Sequence, residues 1–157
     1  MLGNICFLNL YLKARGYLGI TDKKGRTSLH HSAINGHKRM TEMLCEFGQF
    51  ENLLETPDNA GNTPLLACVK HNRPESVMTL LQYNCNVFHR NLKGDTCLHL
   101  VALNGSIATL PVIGSFLTEE IFQVRNRDGM TALEVARSLQ DYEIVKEIEV
   151  IKRNITV

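Results

Sequence analysis

At 157 residues the chain is long enough for one domain with a real core. Seventeen basic residues against 16 acidic leave a formal charge of +1, so no whole-chain field draws it to nucleic acid or an anionic membrane. Its hydrophobic share of 44% is that of an ordinary globular protein, and no stretch nears the ~20 apolar residues of a transmembrane helix.

The chain starts MLGNICFLNLYLK. No basic residue precedes Ile5, as a secretory leader would require, so a docked helix is expected, with a leader as the minor alternative. Ile5, Phe7, Leu8 and Leu12 would then cover the face of the first full structural unit. Cys6, Cys45, Cys68, Cys85 and Cys97 are odd in number and show no C-x-x-C spacing. Reduced, mostly buried thiols are expected rather than a disulfide frame or a zinc knuckle.

From residue 22 onward one pattern occurs four times. It runs DKKGRTSLHHSAINGH from Asp22, DNAGNTPLLACVKHNR from Asp58, NLKGDTCLHLVALNGS from Asn91 and NRDGMTALEVARSLQD from Asn126. Gly25, Gly61, Gly94 and Gly129 stay in phase with Thr27, Thr63, Thr96 and Thr131, and with Leu29, Leu65, Leu98 and Leu133. Asx-x-x-Gly predicts a tight turn, because Gly takes positive φ cheaply and Asx bonds its own backbone. Thr follows where a helix N-cap belongs, and Pro64 sits at a first helical position. A short helix is expected next, such as 64–71, with small residues (Ala33, Cys68, Ala102, Ala136) allowing close approach. Gly36 and Gly105 end it in two units. A second helix then carries apolar residues at helical spacing: Met40, Met43, Leu44 and Phe47; Val77, Leu80 and Leu81; Ile144, Val145 and Ile148. One such pair cannot bury its apolar face alone, so neighbours must stack.

A turn plus two helices with T-P-L-H-x-A at about 33 residues resembles the ankyrin repeat. The resemblance implies an all-α solenoid of stacked helix-turn-helix units with protruding turns. Residues 1–157 form one domain on this reading. Residues 22–57, 58–90 and 91–125 are repeats, 126–157 is a C-terminal capping repeat, and 1–21 is an N-terminal cap or half repeat. The first and third units carry extra residues, around FGQFENLLETPD and LPVIGSFLTEEIFQVRN. The fourth has Glu134 where His is usual and Gln140 where Gly is usual.

His30 and His99 occupy the motif's His position, and the resemblance implies that they bond the backbone of adjacent turns. Repeat stacking holds such positions roughly 10 Å apart, too far to share one zinc ion. No metal, cofactor or catalytic residue is expected. The chain lacks the G-x-S-x-G, H-E-x-x-H, P-loop and G-x-G-x-x-G patterns and has no Trp to stack nucleic-acid bases.

Ankyrin stacks bind through turn tips and the inner face of the first helices. The candidate partner-binding residues are Lys23, Lys24, Arg26, Asn59, Asn62, Leu92, Lys93, Asp95, Arg127, Asp128 and Met130. Leu92 and Met130 are notable, because a turn tip has no core reason for an apolar side chain. In GDTCLHLVALNG, Lys93 and Asp95 are expected to face outward while Leu98 and Ala102 pack.

The third unit, with RPESVMTLLQYNCNVFHRN ahead of it, resembles the inhibitor-of-NF-κB branch. Pro74, Glu75, Leu80, Leu81, Cys85, Gly94, Asp95, Thr96, Leu98, His99 and Leu100 carry that likeness, whereas Val101 stands where Ala is usual. A D-S-G-x-x-S phosphodegron and an acidic tail are absent from the sequence. In this it is similar to the short ankyrin proteins of insect polydnaviruses. The resemblance implies a non-enzymatic inhibitor that holds a Rel/NF-κB dimer in the cytoplasm or nucleus without signal-dependent release, with no direct contact to nucleic acid or membrane. The alternative is a generic ankyrin adaptor, or a piece of a larger array, that binds another protein.

Overall fold

The computed structural model describes residues 18–48 and 52–155. The expected start helix, with Cys6, Ile5, Phe7, Leu8 and Leu12, lies outside them.

Each unit begins with the same closed turn. The Oδ1 atom of Asp22 accepts the N–H groups of Lys24 and Arg26 at 2.8 and 3.0 Å. Asp58, Asn91 and Asn126 do the same for their own second and fourth neighbours at 2.8 to 3.1 Å. The chain can close this tightly because the fourth residue turns left-handed: φ is +73° at Gly25, +78° at Gly61, +75° at Gly94 and +77° at Gly129.

The threonine after each turn has extended backbone and starts a helix. Four inner helices follow: α1 (Ser28–Asn35), α3 (Pro64–Lys70), α5 (Cys97–Asn104) and α7 (Ala132–Ser138). Four outer helices return: α2 (Lys38–Gly48), α4 (Pro74–Gln82), α6 (Leu110–Gly114) and α8 (Tyr142–Ile155). The described residues contain no strand. Inner helices pack on inner and outer on outer, and the two helices of the first, second and fourth units pack on each other, which makes a two-layer solenoid.

The core runs the length of the stack. Leu29, Leu65 and Leu98 are fully buried, while Leu133, in the fourth unit, is half-buried. Ala33, Cys68, Ala102 and Ala136 lie beside this leucine column with almost no exposure, as their small size permits close helix approach. On the outer layer Leu44, Leu80, Ile113, Ile144 and Ile148 are buried. Phe47 is a correction to the helical-period reading: it is 40% exposed at the last turn of α2.

The extra residues of the first and third units fold inward. They form short 3-10 turns, Leu53–Glu55 and Glu119–Gln123, that bury Leu53, Ile121 and Phe122. Glu55 also accepts the N–H of Asn86 at 2.8 Å, tying the first of these segments to the neighbouring unit.

The inner helices end in left-handed residues of three kinds. Gly36 (φ +71°) and Gly105 (φ +66°) follow α1 and α5. Asn72 (φ +52°) and Gln140 (φ +58°) fill the matching place after α3 and α7. A Cβ makes this conformation costly for glutamine, more so than for asparagine. Gln140→Gly is therefore expected to raise stability by about 1 kcal/mol. Thermal unfolding checks it, and an unchanged or lower Tm would show that the Gln140 side chain offsets its own strain.

Candidate protein-binding groove

The residues that look like chemistry hold the turns together. His30 donates from Nε2 to the carbonyl oxygen of Asn62, 2.9 Å away in the next turn. His99 does the same to Met130 at 2.9 Å. Each ring's Nδ1 accepts from its own cap: the N–H of Thr27 lies at 3.2 Å from His30, and that of Thr96 at 3.3 Å from His99. Donor and acceptor are both used, so the neutral Nε2–H tautomer is required. Burial pushes both pKa values below the ordinary histidine range, only partly opposed by the carbonyl each ring faces. A charged ring would lose its Nδ1 acceptor.

The second unit has Leu66 at this position, and its joint to the third is made from the other side. His89 reaches back to the carbonyl of Gly61 at 3.0 Å. The fourth unit has Glu134, which accepts the Thr131 N–H at 2.8 Å and pairs with Arg125 at 2.7 Å. Those two contacts, the backbone one first, hold its carboxyl below the usual range. His31 is apart from this system and faces the Asp22 carboxylate at 3.0 Å. Among the described residues no three His, Cys, Asp or Glu side chains converge on a point where a metal could sit.

Cys45, Cys68, Cys85 and Cys97 are free and buried. Burial pushes the thiols of Cys45 and Cys97 up to about 12, and those of Cys68 and Cys85 well up too. They behave as small core residues, far from the thiolate form a nucleophile needs.

The candidate contact residues divide into two groups. Lys23, Lys24, Asn59, Leu92, Lys93, Arg127 and Asp128 are exposed at the tips. Leu92 stands 56% exposed, with no core role. Asn62 and Asp95 are not on the surface: they are 5% and 2% exposed. Asn91 donates to the Asn62 side chain at 3.2 Å, and Asn126 to the Asp95 carboxylate at 2.9 Å. The outward reading of Asp95 is thus corrected, because the next turn stacks over it. Met130 is half-buried against the core, and its backbone oxygen receives His99. Arg26 is half-buried and paired with Asp22 at 2.9 Å.

The tips also bond one another through backbone. The N–H of Asn59 donates to Lys24, that of Leu92 to Ala60, and that of Arg127 to Lys93, at 2.9 to 3.0 Å. This ladder fixes the spacing of the exposed side chains into one continuous edge.

A groove of about 530 Å³ opens between that edge and the inner helices. Lys24 and Asn59 form one wall and Ile34, Lys70 and His71 the other. Leu103 and Leu139, 44% and 53% exposed, take the corresponding positions seven and eight residues beyond Thr96 and Thr131. None of these helix-end residues stands out in the sequence as a contact residue. A signal for them is there all the same: Lys70 and Leu103 share the seventh place after the threonine, and His71 and Leu139 the eighth.

Residues 1–91 match a family model for ankyrin repeats in three copies. The chain is similar to NF-kappa-B inhibitor alpha of Sus scrofa, 30% identical over 129 residues, which is 79% of this chain and 41% of that protein. Putative ankyrin repeat protein L371 of Acanthamoeba polyphaga mimivirus is 23% identical over 142 residues, 88% of this chain and 18% of its own. E3 ubiquitin-protein ligase XBAT33 of Arabidopsis thaliana is 33% identical over 94 residues, 59% of this chain and 18% of its own. The chain therefore spans less than half the length of each of these relatives.

Proposed function

Since this chain belongs to the ankyrin-repeat family, we propose that it acts as a protein-interaction module, with a Rel/NF-κB dimer as the partner it sequesters. The similarity to NF-kappa-B inhibitor alpha over 129 residues carries the choice of partner. The third unit adds the local likeness, from Pro74 through Leu100.

The geometry supports binding rather than chemistry. The His side chains of the motif are spent on the turn ladder, and the buried thiols are held protonated. What faces solvent is a row of rigid tips and the groove beneath them. A tip that is backbone-bonded to its neighbour loses little freedom when it meets a partner, so binding costs less ordering entropy. Leu92 supplies an apolar anchor among the lysines. Such a module would work in the cytoplasm or nucleus, where a Rel factor is met.

The test is retention of purified Rel-homology domains on the immobilised chain at micromolar concentration. Capture of at least one is expected, and Leu92→Asp should weaken it. Retention of none would remove the Rel assignment. The similarity to an E3 ubiquitin-protein ligase favours a second reading, an adaptor that holds some other protein. Capture from cell lysate with mass spectrometry separates the two, because an adaptor would enrich a protein without a Rel-homology domain.

A further inference from the structure

The groove lies over the first two units and is basic. Lys23, Lys24, Lys70 and His71 line it, and none of them makes an ion pair with a described residue. The one carboxylate in the wall, Asp58, is engaged by the N–H groups of Ala60 and Asn62. Asp22 nearby is matched by Arg26 and His31. Of the other described carboxylates of these two units, Glu42, Glu46 and Glu75 belong to the outer helices α2 and α4, and Glu55 to the 3-10 turn where it accepts the Asn86 N–H. At the matching places of the third and fourth units, seven and eight residues beyond the threonine, the chain exposes Leu103 and Leu139 beside Asn104 and Ser138.

We propose that this groove receives an extended acidic segment of a protein partner, with carboxylates over Lys24 and Lys70 and apolar side chains over Leu103 and Leu139. The proposal rests on the protein-interaction reading above and names the chemistry of the segment that reading leaves open.

Three observations favour an acidic peptide over other anions. The concentration of positive charge is local, in a chain whose net charge is only +1. A groove with one sign of charge focuses field toward a matching ligand. His71 registers that field: burial first, then the charges of Lys70, Arg73 and Arg26, hold its pKa below the ordinary value. The exposed Leu103 and Leu139, finally, suit apolar side chains and add nothing to phosphate binding. Arg73 stiffens the basic wall by donating from Nε to the carbonyl of Ile34 at 2.8 Å, across the joint between the two units. The basic groove and the exposed leucines together also give the surface a direction, so the segment should lie only one way round.

The test uses the full chain and three fluorescent probes of equal length. One is a peptide with an aspartate/glutamate half and a leucine half. The second has lysine in place of the acids. The third is a single-stranded oligonucleotide. The acidic–apolar peptide is expected to bind, more weakly at 0.5 M than at 0.05 M salt on the order of the screening of exposed pairs. The K24E/K70E variant should weaken it by about tenfold while leaving Tm unchanged, since both lysines are exposed. L103A/L139A should weaken the same peptide and leave a leucine-free acidic probe unaffected. Equal binding of the lysine peptide, tighter binding of the oligonucleotide, or indifference to K24E/K70E would overturn the proposal. The partner reading is scored separately. Rel-homology domains retained equally by the chain and by K24E/K70E would leave that reading standing and remove this one. Peptide binding without Rel retention would do the reverse.

Discussion

Gly61→Ala is expected to destabilise the protein by about 3 kcal/mol, whereas Gly129→Ala should cost only about 1–2 kcal/mol. The two glycines have the same local conformation, at φ +78° and +77°. Any alanine there carries the left-handed penalty. Their surroundings differ. A Cβ on Gly61 would lie 2.7 Å from the backbone nitrogen of Leu92 and 3.0 Å from its Cγ. That nitrogen donates to Ala60 at 3.0 Å, so the new methyl would push apart the joint between the second and third turns. A Cβ on Gly129 would meet nothing within 4 Å. Urea unfolding of both variants measures the difference directly. Equal losses would show that turn stacking contributes nothing to stability beyond each turn's own geometry. Because repeats are coupled to their neighbours, Gly61→Ala should also broaden the transition.

His99→Ala should cost about 1–3 kcal/mol, since it strands the Met130 carbonyl and the Thr96 N–H in a buried joint. The same imidazole makes stability depend on pH. Its pKa is lowered in the folded state, so between that value and the ordinary histidine value of about 6.5 the unfolded chain binds more protons. Stability is then fully present above about pH 6.5 and is lost as pH falls toward the folded value. His30 and His71 are shifted in the same direction and add to the slope. Unfolding midpoints at pH 7.5 and 5.5 should fall with acidity in the parent chain and fall less in His99→Ala. A midpoint that rises on acidification would mean that these rings are protonated in the folded protein.

The turns were legible because their rules are local. Asx, Gly and Thr at fixed offsets each satisfy a backbone requirement within a few residues, and all four turns formed as the offsets predicted. The forward reach of His30 and His99 was legible only through the family resemblance, since nothing near Thr96 in sequence names Met130 as the acceptor. Burial at the turn edge was hidden. Arg26, Asn62, Asp95 and Met130 hold one position of the turn, yet the two polar ones in the middle are buried and the arginine is not. A neighbour thirty residues away decides that, and a polar side chain reads as exposed until the neighbour is placed. Leu53 and Ile121 were hidden for a related reason: extra residues between helices read as loop, and these plug the core. Lys70, Leu103 and Leu139 escaped because they fall late in the repeated segment, where no column of identical residues draws attention to them.

The four shielded sulfurs have a practical consequence. Cys45 belongs to the first unit's outer helix, Cys68 to the second unit's inner helix, Cys85 to the turn after α4, and Cys97 to the start of α5. Each is out of reach of an alkylating reagent until its own surroundings part. Their separate reaction rates, resolved by peptide mass, are stopwatches at four stations along the stack. They would show whether this spring opens from one end, from the middle, or all at once, with no residue of the chain changed.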